Sequence, residues 1–289
     1  MPVTDYDKLL QKISKKEEHC RYIMVKTNKN AAQKRKIGPP CAIENKKMSQ
    51  KIFLKSAKGG AGATTVVAGL GFALSSAGER TLIVDGDSDS ACALNVCGCA
   101  DLQVFTVADY KKGACRAKQA TLQHPKYKNL YIMPTLGCDD GSAVEAAVRE
   151  VEGLFDYILC DNAALKACNC SIAVTEPYQP SVRAADVIIS RLKDTSSFSG
   201  VIVNKVNGGL ILSGNIAYPE DIARSLNANL IAVLPEDLDL TIGIWRPYSM
   251  KYFKLAAAAL EGKKVKIPYL ENLYAGAGGY FRRKLREKI

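Results

Sequence analysis

Eleven residues, Lys55-Ser-Ala-Lys-Gly-Gly-Ala-Gly-Ala-Thr-Thr65, constrain this chain more than any other stretch. They follow a short apolar run, Lys51 to Leu54, and precede a helix-like run from Val66 to Ser76. Strand, glycine loop and helix in that order make a ready anion site. The loop N–H groups and the positive end of the helix converge on one spot. Gly59, Gly60 and Gly62 permit the tight turns and close backbone approach that phosphate oxygens need. A general phosphate loop ends in Gly-Lys-Ser/Thr. Here Gly62 and Thr64 are in place, but the lysine position holds Ala63. A second lysine, Lys58, opens the loop.

The pattern predicts strands over residues 52–57, 81–85, 130–133, 157–161, 200–204 and 230–234. It predicts helices over 64–76, 142–154, 182–192, 219–226 and 248–260, and reads 86–100 as loop. Alternation of this kind implies an α/β fold, a mainly parallel sheet with helices on both faces. The 289 residues suffice for one large domain of that class, and 47% hydrophobic residues can fill its core. Residues 1–49 read as a basic N-terminal extension and linker, 50–275 as the compact domain, and 276–289 as a basic amphipathic tail. No apolar run reaches the roughly 18 residues of a membrane span. The N-terminus lacks a basic-then-apolar leader pattern, so the expected location is cytosolic.

Charge is uneven. The net +11 comes from the two ends. Residues 1–50 hold 12 Lys/Arg against 5 Asp/Glu, and residues 281–289 hold 5 against 1. In that last stretch Phe281, Leu285 and Ile289 share one helical face among basic residues. A short interfacial helix has this form, so residues 280–289 are a candidate contact with an anionic membrane surface at the inner face of the cell membrane. Nucleic acid ranks behind membrane and protein partners. The ten cysteines read as cytosolic thiols, mostly small hydrophobes.

Three strand-end features add chemistry to the loop. Asp85-Gly-Asp87 ends one apolar strand, and Asp161 ends another, Phe155-Asp-Tyr-Ile-Leu-Cys-Asp161. A buried strand ending in Asp is a Walker B arrangement, whose carboxylate serves Mg²⁺. Asn204, and Pro235 in Leu234-Pro-Glu-Asp237, close two further strands and would lie beside an adenine. His19 and His124 suit no catalytic arrangement.

These motifs, together with Leu-Tyr-Ile-Met-Pro134 and Val-Thr-Glu-Pro177, occur in the order of the MinD/ParA family of P-loop NTPases, which the chain resembles over about residues 50–260. The resemblance implies a Rossmann-like three-layer sandwich that binds ATP and Mg²⁺ and forms a homodimer face to face over nucleotide. In that scheme residues Gly59, Gly60, Ala61, Gly62, Ala63, Thr64 and Thr65 cradle the phosphates. Lys58 is the deviant lysine that reaches the partner subunit's phosphates, Thr64 and Asp161 serve Mg²⁺, Asp87 orients the attacking water, and Asn204 and Pro235 hold the adenine.

Two departures qualify the expectation. The family's loop lysine is Ala63, and its Asp-Thr-Pro-Ala-Gly is Asp161-Asn-Ala-Ala-Leu165. An alanine there is similar to the CpaE/TadZ branch, which localises pilus or secretion machinery. Losing a charge-assisted phosphate contact costs about 1.5–3 kcal/mol, or roughly 10- to 150-fold in affinity. The expectation is therefore a nucleotide-gated positioning or assembly protein with weak ATP binding and slow or lost hydrolysis. The alternatives are a non-catalytic scaffold of a pilus or secretion apparatus, or a metal- or Fe–S-handling ATPase. The last rests on the nitrogenase iron protein and related reductases, whose cluster ligands fall near the positions of Cys138 and Cys168.

Overall fold

The computed structural model describes residues 49–275, except 91, 164, 166, 167, 196 and 197. The expected N-terminal extension, Ser49 apart, and the expected tail at 276–289 lie outside the described residues. β1 (Gln50–Ser56) leads through the glycine loop into α1 (Ala63–Ser76), and β2 (Thr81–Asp85) follows. Next come α2 (Cys92–Val96), α3 (Val107–Lys111), the two-residue β3 (Leu122–Gln123), β4 (Leu130–Pro134) and α4 (Gly141–Val151). β5 (Tyr157–Asp161), β6 (Cys170–Thr175), α5 (Gln179–Thr195) and β7 (Phe198–Val206) continue the chain. It goes on through α6 (Gly208–Leu212), α7 (Pro219–Ser225), β8 (Leu230–Pro235), α8 (Leu238–Thr241) and α9 (Pro247–Leu260).

The eight strands form one sheet in the order β3-β4-β2-β5-β1-β6-β7-β8. Every pairing is parallel except β3 with β4. All residues of β2, β6 and β8 are buried. Successive strand residues point to opposite faces, so burial of every residue means that both faces are covered. This is the expected mainly parallel α/β architecture. Close packing sets α1 into it. A Cβ added at Gly69 would lie 2.4 Å from the Phe253 ring on α9, and one at Gly71 would lie 2.9 Å from Ile83 on β2. Phe72 on the same helix meets Tyr127, Trp245 and His124 edge-on or tilted, at 4.6–5.5 Å.

The sequence pattern misses several elements. β6 has no anticipated counterpart, because Cys-Ser-Ile-Ala-Val-Thr is short on large aliphatic residues although every one of its residues is buried. The 86–100 stretch contains α2, and α5 starts at Gln179 rather than 182 because Pro180 is tolerated in a first turn. The short β3, α3, α6 and α8 fall below the length that periodicity detects.

Asp85 joins the sheet to α2. It is fully buried at the end of β2. Its Oδ2 accepts the Ala93 N–H at 2.8 Å, and Oδ1 accepts the Asp87 N–H at 3.3 Å. Its backbone oxygen accepts the Thr135 hydroxyl at 2.7 Å. Burial pushes the carboxyl up from 3.8 to about 6, outweighing the two N–H donors that favour the anion. The fold therefore favours the protonated form. That contribution is complete below the ordinary carboxylate value and is lost as pH rises through about 6. Denaturant unfolding of wild type and Asp85→Asn between pH 4 and 7 should show wild type losing up to about 3 kcal/mol relative to the variant. A difference that stays constant with pH would rule out this assignment.

Candidate functional site

β1 runs between β5 and β6, so the glycine loop opens at the C-terminal edge of the sheet. There a tight turn runs from Lys58 to Ala61, closed by the Ala61 N–H on the Lys58 oxygen at 3.0 Å. Gly60 takes φ 86° at its third position, which favours glycine. The Ser56 hydroxyl bonds the same Lys58 oxygen at 2.6 Å. Gly62, at φ 87°, is the N-cap of α1. The first intrahelical bond runs from the Val66 N–H to the Gly62 oxygen at 3.0 Å. The N–H groups of Ala63, Thr64 and Thr65 precede it and have no helical acceptor. No acidic side chain occupies that first turn to compete with an anion. The Ala63 methyl is buried. Lys58 is exposed at the mouth of the loop.

The register brings the strand-end acids to this loop. Asp161 pairs with Leu54 on one side and with Asp85 on the other. The Thr64 side chain lies beside the Asp161 carboxylate and favours its charged form. Burial pushes that carboxyl up, opposed by the nearby Thr64 hydroxyl and by the charge of Lys55. Asn162, at φ 55°, donates its Nδ2 to Asp161 Oδ1 at 3.3 Å. Among the described residues, no group of three or more His, Cys, Asp and Glu side chains could hold a metal. One hydroxyl and one carboxylate do fit Mg²⁺ at a phosphate site. That ion keeps several waters and takes few protein oxygens, the rest coming from phosphate.

Asp87 lies at the same edge, but its carboxylate is committed locally. Oδ1 accepts the N–H groups of Asp89 and Ser90 at 3.0 and 3.1 Å. Oδ2 accepts the Ser90 hydroxyl at 2.7 Å and the Cys92 thiol at 3.1 Å. The Ser90 hydroxyl, the Cys92 thiol and the backbone donors hold Asp87 down at about 2, so it is a carboxylate under ordinary conditions.

β7 and β8 frame the other side of the loop. Asn204 Nδ2 donates to the Ala61 oxygen at 2.9 Å, and a Cβ at Gly62 would lie 2.6 Å from that same nitrogen. Pro235, buried at the end of β8, pairs with Val206. Two residues absent from the sequence-derived set stand here. Lys205 donates its Nζ to the Gly60 oxygen and to Glu176 Oε1, the latter at 2.8 Å. Their side chains are 43% and 21% exposed, and a pair that open contributes about 0–1 kcal/mol to stability. Its effect is on geometry instead. The signal for both was present, since Glu176 lies in Val-Thr-Glu-Pro and Lys205 follows Asn204.

The cysteines do not gather as the rival reading expects. The Cys138 thiol reaches the Asp140 oxygen at 3.9 Å, beyond the C-terminal end of β4. Cys168 precedes β6, at the opposite edge of the sheet, beside the buried Cys160 thiol. His124 is buried, with Nδ1 accepting the N–H groups of Lys126 and Tyr127 and Nε2 near the Cys97 oxygen. It is a structural residue. Trp245 Nε1 donates to the Val96 oxygen at 3.3 Å, joining the segment after α8 to α2.

A family model described as the CobQ/CobB/MinD/ParA nucleotide binding domain matches residues 52–243. The septum site-determining protein MinD of Thermotoga maritima is 29% identical over 212 residues, covering 68% of this chain and 78% of that one. MinD of Bacillus subtilis is 28% identical over 207 residues, covering 66% and 77%. Among solved structures, the cell division ATPase MinD of Pyrococcus furiosus has a TM-score of 0.65 at 26% identity, covering 74% of this chain and 99% of that one. MinD of Pyrococcus horikoshii OT3, complexed with Mg-ADP, has a TM-score of 0.59 at 26% identity over 83% and 96%. The sheet order, the loop and the strand-end aspartates agree with a match that spans about two thirds of the sequence, and the chain belongs to the CobQ/CobB/MinD/ParA nucleotide-binding family.

Proposed function

We propose that this protein is an ATP- and Mg²⁺-binding positioning or assembly protein whose self-association is gated by nucleotide and whose hydrolysis is slow or lost. The observation that carries this reading is the Thr64 side chain set beside the buried Asp161 carboxylate, beneath a glycine loop whose helix-start N–H groups have no helical acceptor. Gly62 to Thr65 would hold the phosphates, Thr64 and Asp161 would hold Mg²⁺, and Asn204 and Pro235 would flank the base. Bound Mg²⁺ would neutralise charge developing on the phosphate oxygens. Asp87 would orient water only after leaving its four donors on Asp89, Ser90 and Cys92, which accords with slow turnover.

Association over the nucleotide draws support from the same edge. Leu238, Ile242 and Ile244 follow β8 and are 74%, 71% and 43% exposed. Exposed apolar groups in one short segment suit a second protein surface. Lys58 would then act across the dimer. The basic tail at 276–289 would add a membrane contact, and the Ala63-type loop points to pilus or secretion machinery as the partner. The extension at 1–49 would be an appendage to the nucleotide domain.

Calorimetry and light scattering with ATP–Mg²⁺ decide the reading. Weak binding together with a rise in molar mass is expected, and no heat with no change in mass would end it. Ala63→Lys should tighten ATP binding by roughly 10- to 150-fold, the value of one charge-assisted phosphate contact. Asp161→Asn should leave nucleotide affinity equal with and without Mg²⁺, measured by titration in EDTA and in excess Mg²⁺. A metal dependence that survives this change would remove Asp161 from the Mg²⁺ site.

A further inference from the structure

The phosphate loop is held from outside by two consecutive residues of β7. Asn204 Nδ2 bonds the Ala61 oxygen at 2.9 Å, and Lys205 Nζ bonds the Gly60 oxygen. A peptide unit is planar and trans, so its C=O and N–H point in opposite directions. Fixing the Ala61 oxygen toward β7 turns the Gly62 N–H away from β7, toward the cradle. Fixing the Gly60 oxygen turns the Ala61 N–H toward the Lys58 oxygen that it bonds at 3.0 Å. The two side chains therefore set two successive peptide planes of the loop.

Lys205 is itself held for this task. Its backbone takes φ 55°, a left-handed conformation that is uncommon for a residue with a Cβ. The β7–β8 register shifts between Val203 and Val206, around this residue. Glu176, at the end of β6, receives the ammonium at 2.8 Å, and its own N–H is fixed on the Ser181 hydroxyl at 3.1 Å. The lysine thus spans β6 and the loop from a strained position on β7.

We propose that Lys205, anchored by Glu176, is a positioning residue that preorganises the phosphate loop from its outer side, supplying the order that a lysine at position 63 does not provide in this chain. This deepens the nucleotide reading and rests on it. Lys205 acts through the Gly60 carbonyl and not by contact with phosphate. An ammonium drawn to phosphate would have to leave both Gly60 and Glu176.

Two measurements test the assignment. In nucleotide-free protein, Lys205→Met should speed hydrogen exchange at the Ala61 and Val66 amides, both of which depend on loop geometry. Unchanged exchange would overturn the brace whether or not nucleotide binds. In ATP–Mg²⁺ titrations, Lys205→Met should weaken binding roughly tenfold, and Lys205→Arg should restore most of it. Glu176→Gln should also weaken binding, because the ammonium loses its anchor. Tighter binding in Glu176→Gln would mean that Lys205 reaches the phosphates, and the positioning role would fall. Wild type that binds no nucleotide would end the proposed function, while the exchange measurement still decides the brace.

Discussion

The parallel pairing of β1 between β5 and β6 is the constraint on which the site depends. Pairing Leu54 with Asp161 and with Ile172 sets the last residue of β5 beside β1, two residues before β1 ends and the glycine loop begins. The glycine loop leaves from the C-terminal edge of the sheet, and α1 returns from it over the same strands. Without this register Asp161 would not meet Thr64, because the two are far apart in sequence and neither has another route to the other. Their proximity follows from sheet geometry and not from any local motif.

Much of this was legible in the chain. The loop, the apolar strands ending in Asp85 and Asp161, and the long helices show up because strong periodicity and strand-end polar residues are local signals. β6 was hidden because its residues are small and partly polar, though the sheet buries them all. The clamp on the loop was hidden for a different reason. Lys205 and Glu176 are separated by 29 positions and meet only because β6 and β7 are neighbours. Asp87 follows β2 at the sheet edge, but its four donors come from neighbouring residues whose hydrogen bonds no spacing rule announces. The cysteine pattern misled because sequence proximity to Asp161 says nothing of which edge a residue occupies. Cys168 turns to Cys160 instead.

The acids divide their labour through their surroundings. Asp85 is buried and favours its proton, whereas Asp87, saturated with donors, favours its charge. Asp161 is buried but has a hydroxyl and a nearby lysine charge to offset the loss of water. Three carboxyls gathered at one sheet edge can coexist because they are not all driven to ionise together. That division keeps the edge from becoming a site of uncompensated repulsion.

The contact between Gly62 and Asn204 bears on how such a site can drift over generations. Position 62 is doubly restricted, by φ 87° and by a neighbour 2.6 Å from any Cβ placed there. Position 63 has no comparable lock, since a small side chain there leaves the helix and the loop intact. Mutation can therefore strip the charged group from the loop while the backbone frame stays under steric selection. Loss of chemistry in a chain of this kind would precede loss of shape, and a cradle of the right form is poor evidence for the rate at which it works.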